Sequence, residues 1–396
     1  MVERFRSIVV GRGMMGAAAA RYLALAGEGV AVIGPDEPKD WANHHGVFAS
    51  HYDEARITRT IDSDPVWARL ANRSIARYGQ IAAETGVDFY EEVGCLIVGP
   101  KRGGHDPYVG QVEAAARQLG ASIEMLSDAA LKARFRYFDF GSDCEGVYEE
   151  KNAGYVNPRR LVEAQSILAE KAGATVVRRA AVSVREEGGL AIVTTDDGAV
   201  YMAERVLIAA GGFSINENLM PRPIDLKVYG RTVAFFEIPD EDLHAYAGMP
   251  SLIHQPDDPV DHIYLLPPVR YPDGKTYLKI GGDPDDLRLE TELETRAWFR
   301  RGGRLTTRDH LRRIMARLVP SLAEAPLSMS ACVTSFTPEN YPAIGFASER
   351  VAVLTGGCGA AAKSSDEIGR LGAELILNGR IVDEAYGDVF RPVFRD

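Results

Sequence analysis

Three glycines carry the first chemistry legible in this chain. Residues 9–16 read VVGRGMMG, so Gly11, Gly13 and Gly16 form a G-x-G-x-x-G series between an apolar run and the stretch AAAARYLALAG. The pattern suits a strand-to-helix turn that holds a pyrophosphate. Gly11 permits the tight turn, Gly13 lets phosphate approach the backbone, and Gly16 lets helix and strand pack closely. The helix start, with Met14 and Met15 in its first turn, turns its partial positive charge toward the phosphates. A bound dinucleotide is therefore expected. Which one is open at this point, because the usual ribose-binding acid is missing. The second strand, VAVIG, closes on Gly34, and Asp36 and Glu37 follow only after a proline. One of these two acids, or the backbone at Gly34, is left to reach the ribose.

A site of this kind needs a parallel sheet covered by helices. Residues 6–10 are a β-branched run expected to be a buried strand. The helix after it stops at Gly27, a C-terminal glycine. Residues 64–86 have apolar positions at helical spacing, CLIVG (95–99) reads as a strand, and residues 155–173 form a helix with Pro158 near its first turn. Residues 174–212 read as a strand meander ending in a buried strand and two glycines. From 216 to 330 prolines and aromatics increase and the strand–helix alternation fades. VAVLTGG (351–357) and the helix at 363–379 then restore it. The fold class expected is α/β with an α+β insert. A Rossmann-like dinucleotide-binding domain takes 1–85, 150–215 and 330–396. A substrate domain on a mixed or antiparallel sheet takes 86–149 and 216–329.

The bulk numbers narrow the partners. The chain has 396 residues, enough for two domains, and a net charge of −11, which argues against nucleic acid or an anionic membrane. No apolar run is long enough to span a membrane. The four cysteines are widely spaced with no C-x-x-C pair, so neither a zinc site nor a disulfide framework is indicated, and a reducing cytoplasm fits. No metal site is expected, and the oligomeric state expected is a monomer or a small homo-oligomer.

Several further stretches resemble, in order, the sarcosine oxidase family within the wider D-amino-acid oxidase group. They are ASHYDEARITRTI (49–61), GCLIVGPK (94–101), AERVLIAAGGFS (203–214), YLKIGG (277–282), SACVTSFTPENYPAIG (330–345) and GGCGAAAKSSDEIG (356–369). Together they cover most of the chain. The resemblance implies FAD, with contacts from the glycine loop, Asp36, Ser50, His51, Arg56, Val182, Ala210, Gly211, Gly357, Gly359, Ala361 and Lys363. It implies a covalent flavin link through Cys332; without it, a free cysteine is more often a small buried hydrophobe. It implies that Arg59 and Lys363 hold a substrate carboxylate, which suits a planar fork and a point charge. Lys279 would stand under the flavin and stabilise superoxide electrostatically. His51 and Arg56 would flank the ring, Arg56 helping to retain the reduced anion.

Departures from the family pattern bear on the substrate. Its pocket tyrosines align with Leu265 and Thr334, and its pocket histidine with Asp283. These changes remove aromatic bulk and add one anion. The expectation is a pocket for something larger than sarcosine, with a polar or cationic arm near Asp283; equally, Asp283 could cap a turn in GGDPDD. The reaction implied is oxidation of an amino acid, N-methyl or N-alkyl in type, by hydride transfer to flavin, with O2 reduced to H2O2. A flavin dehydrogenase passing electrons to a quinone or a protein is the alternative. An NAD enzyme or nucleotide sensor would leave Cys332, Lys279 and the GGCGAAAK loop unexplained.

Overall fold

The computed structural model describes residues 3–27 and 29–395. Its first strand, Glu3–Val10, is exposed at the start and buried at residues 7–10. It runs parallel to Val30–Ile33 on one side and Val200–Ile208 on the other. Val200–Ile208 pairs at its start with antiparallel Leu190–Thr195, and at its end with parallel Val351–Thr355. The near-continuous apolar runs SIVV, VAVI and VAVLT match strands buried on both faces.

Helix Met14–Leu25 packs between Ser365–Asn378 and Pro158–Lys171. Its run of four alanines allows this closeness. Gly369 completes it, because a Cβ there would stand 2.7 Å from the Ala19 nitrogen and 2.8 Å from the Met15 oxygen. Pro65–Thr85 is a well-delimited helix. Asp64 caps it by accepting from the Val66 and Trp67 N–H groups, Pro65 opens it, and Gly86 closes it in the left-handed conformation at φ 71°.

A second, mostly antiparallel sheet has the order Leu287–Leu289, Lys227–Ile238, Thr276–Gly281, Ile263–Arg270, Ser251–His254, Cys95–Pro100, Cys144–Glu149, Glu124–Ser127. Leu327–Phe336 pairs with residues 227–236 of Lys227–Ile238. The sequence division at 330 falls inside this strand, which belongs to the second sheet throughout. Two helices cover that sheet, Glu292–Arg301 and Leu305–Leu318, in a stretch where sequence reading saw fading helical grammar. Thr291 and Glu294 form a capping box at the first of them. Leu311, Ile314, Met315 and Leu318 pack on Phe236, Leu278 and Ile280 of the sheet. A small third sheet, Arg56–Thr58 with Gly154–Val156 and Tyr90–Glu91, carries the arginine-rich segment between the two large ones. Among the described residues no helix is long and apolar enough to cross a membrane.

The helix contact at Gly369 generates a test. Gly369→Val should cost about 1–3 kcal/mol by overpacking, read as a fall of several degrees in the melting temperature. Gly79→Ala, at a helical position with nothing within 4 Å, should hold or raise it. Equal melting temperatures for the two variants would contradict the close packing described.

Candidate active site

A cavity of about 700 Å³ lies between the two large sheets, within the size range of cofactor and substrate sites. The first sheet contributes the glycine loop. Gly11 has φ 108°, and a Cβ there or on Gly16 would collide with backbone oxygen, of Ala209 and Gly11 respectively. The helix that follows has Gly13 at its N-cap, no side-chain cap and no acid in its first turn. Its terminal N–H groups are thus left for an anion. Gly13, Met14 and Met15 line the cavity, with Ala210 and Gly211 from the end of Val200–Ile208. Gly16 packs behind the loop.

The missing acid has a structural explanation. A Cβ on Gly34 would lie 2.7 Å from both the nitrogen and the Cβ of Arg12. The Arg12 guanidinium folds over the strand end, donating to the carbonyls of Gly34 (3.3 Å) and Pro35 (3.4 Å) and pairing with Asp36. Asp36 also accepts from Arg178 at 2.8 Å. It lines a neighbouring cavity of about 290 Å³ that shares Arg12, Pro35 and His51 with the large one.

Segment 50–64 supplies most of the charge. His51 lines the cavity with Nδ1 buried and unpartnered. Burial and the cations Arg12, Arg159 and Arg56 push its pKa down to about 3, so the imidazole is neutral. Arg56 donates from Nη2 to the Ser50 carbonyl (3.0 Å) and to Cys332 Sγ (3.6 Å), and pairs with Asp53. Ser50 Oγ donates to the Val333 carbonyl at 3.3 Å, tying this segment to the cysteine strand. Arg59 Nη2 donates to Asp62 Oδ2 at 2.8 Å, while its Nε is buried without a partner.

Two buried lysines complete the arrangement. Lys363, 2% exposed, has Nζ 3.3 Å from Asp62 Oδ2 and 3.4 Å from the Ala360 carbonyl oxygen. Burial and Arg59 pull its pKa to about 8 against the opposing pull of Asp62. Lys279, 1% exposed, donates to Asp53 Oδ2 at 2.7 Å and to the Ala55 carbonyl. Burial and Arg56 act to lower it; the Asp53 carboxylate in contact acts the other way. Lys279 stands behind Arg56 and does not itself line the cavity. Sequence reading found these four cations and missed both carboxylates. The signal was present: each arginine has an aspartate three residues away, and buried cations require a partner.

The remaining expected residues divide. Cys332, Thr334, Asp283, Gly357, Gly359 and Ala361 line the cavity. Asp283 accepts from the Thr232 N–H of the neighbouring strand at 3.3 Å, and burial raises its pKa to about 6. Thr334 Oγ1 accepts from Arg231 Nε at 2.9 Å. Leu265 is corrected: it is fully buried in the core behind the sheet, and Tyr264 faces the cavity. Side chains alternate along a strand, so a one-residue offset exchanges the faces. Val182 is 39% exposed, and Ala180 and Ala181 beside it line the cavity.

A glycine-loop sheet facing a mixed sheet across a cation-rich cavity defines a dinucleotide-dependent redox enzyme. FAD fits it: backbone cradles at Gly11 and Gly16 leave no room for side chains, and the uncapped start of the helix Met14–Leu25 leaves its N–H groups to an anion. Residues 6–375 match the family model described as DAO, FAD dependent oxidoreductase, and the chain belongs to that family. It is 25% identical over 389 residues to monomeric sarcosine oxidase of Bacillus sp. (strain NS-129), covering 96% of this chain and 95% of that protein. It is 26% identical over 220 residues to N-methyl-L-tryptophan oxidase of Yersinia pestis (strain Pestoides F), covering 55% and 56%. Among solved structures, NikD, an unusual amino acid oxidase essential for nikkomycin biosynthesis, shares the fold with a TM-score of 0.78 at 19% identity, covering 100% of this chain and 99% of that one.

The lysine at the cavity wall gives a pH prediction. The Lys363 ammonium is present below about pH 8 and lost above it. Binding of acetate, followed by perturbation of the flavin spectrum, should weaken steadily between pH 7 and 9.5. Lys363→Arg, whose guanidinium does not titrate there, should bind acetate equally across that range. A wild-type affinity that does not change with pH would contradict the assignment.

Proposed function

We propose that the protein is an FAD-dependent amine oxidase acting on the CH–NH group of an amino acid, of secondary N-methyl or N-alkyl type. The observation that carries this reading is the Arg59–Asp62–Lys363 cluster. Two cations share one carboxylate, which leaves a net positive charge at the cavity wall. A substrate carboxylate is its natural counter-charge. The names of the sarcosine and N-methyltryptophan oxidases support the same substrate class.

When bound, FAD supplies the two-electron couple that takes a hydride equivalent from the carbon next to nitrogen and passes electrons to O2. The chain does the rest. Arg59 and Lys363 hold the carboxylate and so fix which C–H faces the cofactor. Neutral His51 fills the wall without adding charge. Arg56 supplies fixed positive charge beside the ring, and Lys279 behind it supports the oxygen step. Cys332 is the attachment point for the flavin. Its Sγ lines the cavity and is 3.6 Å from Arg56 Nη2.

Asp283 and Thr334, in place of larger pocket residues, leave room for a bulkier N-substituent or side chain. Asp283 is held to the Thr232 strand, outside its own turn, which favours its reading as a pocket anion. It is charged above about pH 6 and neutral below.

Acid precipitation of the yellow protein tests the link: colour should stay with the pellet for the wild type and move to the supernatant for Cys332→Ser. Colour released from both would remove the covalent assignment while keeping FAD. A peroxide screen over N-alkyl amino acids tests the substrate. KM for one bearing a cationic arm should fall as pH rises through 6. Asp283→Asn should raise that KM about tenfold or more, the worth of one charge-assisted contact, and leave sarcosine nearly unaffected. Turnover of sarcosine and other minimal amines alone would contradict the larger pocket.

A further inference from the structure

The group that the reading above leaves unused is Asp53. Its carboxylate lies inside the protein between two cations of different origin: Arg56 of its own segment and Lys279 of the strand Thr276–Gly281. It is also held rigidly. Tyr271 donates its hydroxyl to Oδ1 at 2.8 Å, and the Glu54 N–H donates to the same oxygen at 2.8 Å. Oδ2 is thereby left for the two cations, the Lys279 ammonium at 2.7 Å and Arg56. The other charged or titratable groups facing Lys279 do not replace it. Glu54 is engaged by Arg159 and Asn157. The Tyr264 ring is 5.9 Å from Nζ. Cys332 is in contact with Arg56, and Arg56 itself is a like charge. Removed from water and next to a guanidinium, an ammonium with no anion in contact sheds its proton.

We infer that Asp53 is a positioning residue for the oxygen step: it keeps Lys279 protonated beside Arg56 and points it at the flavin side of the sheet. This rests on the reading that Lys279 serves that step. The assignment explains why three charged groups are gathered where two cations alone would repel, and why Tyr271, away from the cavity, aims its hydroxyl at a buried carboxylate. It also separates two roles of the segment, since Asp62 performs the same service for Lys363 at the substrate end.

The experiment uses holoenzyme carrying Asp53→Asn, Lys279→Met or both. Two quantities are followed from pH 5.5 to 9.5: the absorption spectrum of the oxidised flavin, and the rate of reoxidation by O2 after dithionite reduction. The wild-type reoxidation rate should be flat, and its spectrum should carry no transition that Lys279→Met removes. Asp53→Asn should gain a titration in both, with reoxidation slowed at least tenfold at the alkaline end, and the double variant should lose that titration and match Lys279→Met. A flat Asp53→Asn beside a slow Lys279→Met overturns the inference and leaves the lysine reading standing. A Lys279→Met enzyme that reoxidises at the wild-type rate overturns the lysine reading, and the spectral titration then decides on Asp53 alone. Should Asp53→Asn fail to retain flavin, recovery of flavin in the double variant supports the inference, and a double variant as deficient as the single one contradicts it.

Discussion

Burying positive charge is the constraint on which this site depends. Arg12, Arg56, Arg59, Arg231 and Lys363 line one cavity with Lys279 just behind it, and the two lysines are withdrawn almost completely from water. Such groups persist only with an anion in contact. The segment around residues 53–62 solves the problem twice with the same device. Asp53 takes Arg56 three residues on and Lys279 from the second sheet; Asp62 takes Arg59 three residues back and Lys363 from the closing loop. Each carboxylate joins a local arginine to a lysine brought from far along the chain. The segment is therefore a charge-bearing hinge pin between the two sheets as well as a lining of the cavity.

The scaffold is arranged to hold that pin in place. The small sheet Arg56–Thr58, Gly154–Val156 and Tyr90–Glu91 fixes its backbone. The loop that carries Lys363 runs into the helix Ser365–Asn378, whose Asp366 and Glu367 are wholly buried. Arg21, Arg77, Tyr22 and Gln165 converge on Asp366, and Arg73, Arg77 and Arg370 on Glu367. Acids in a first helical turn are favoured by the helix dipole, and here they lock the loop to three other helices. Tyr78 adds a hydrogen bond from its hydroxyl to the Lys363 carbonyl at 2.7 Å. The glycine loop is fixed by steric exclusion instead: Gly11 and Gly16 sit where any Cβ would strike backbone.

What was legible in the sequence follows from how local each signal is. The glycine fingerprint, the parallel strands and the capped helix at 65–85 are written in short-range steric and capping terms, and they could be read directly. The charge nests were half legible. Their arginines and lysines stand in recognisable stretches, but that Asp53 and Asp62 serve them depends on burial, which a linear sequence does not display. Gly34 was read as the place of a missing acid; a side chain there would collide with Arg12. The exchange of Leu265 for Tyr264 shows how one residue of register reverses a strand's faces. The helices at 292–318 were hidden by the proline-rich stretches around them, although T-E-L-E at 291–294 is a capping-box signature. The strand 327–336 was divided at residue 330, and its pairing is with Lys227–Ile238 on both sides of that division.

The central claim is that fixed buried cations select an amino acid by its carboxylate and orient it for oxidation. Its most direct test is anaerobic mixing of the holoenzyme with an N-methyl amino acid and with the methyl ester of the same compound, followed at the flavin's visible absorption. The acid should bleach the flavin rapidly, the ester should do so far more slowly, and admission of air should restore the colour in both. An ester that reduces the flavin as fast as the free acid would contradict the account.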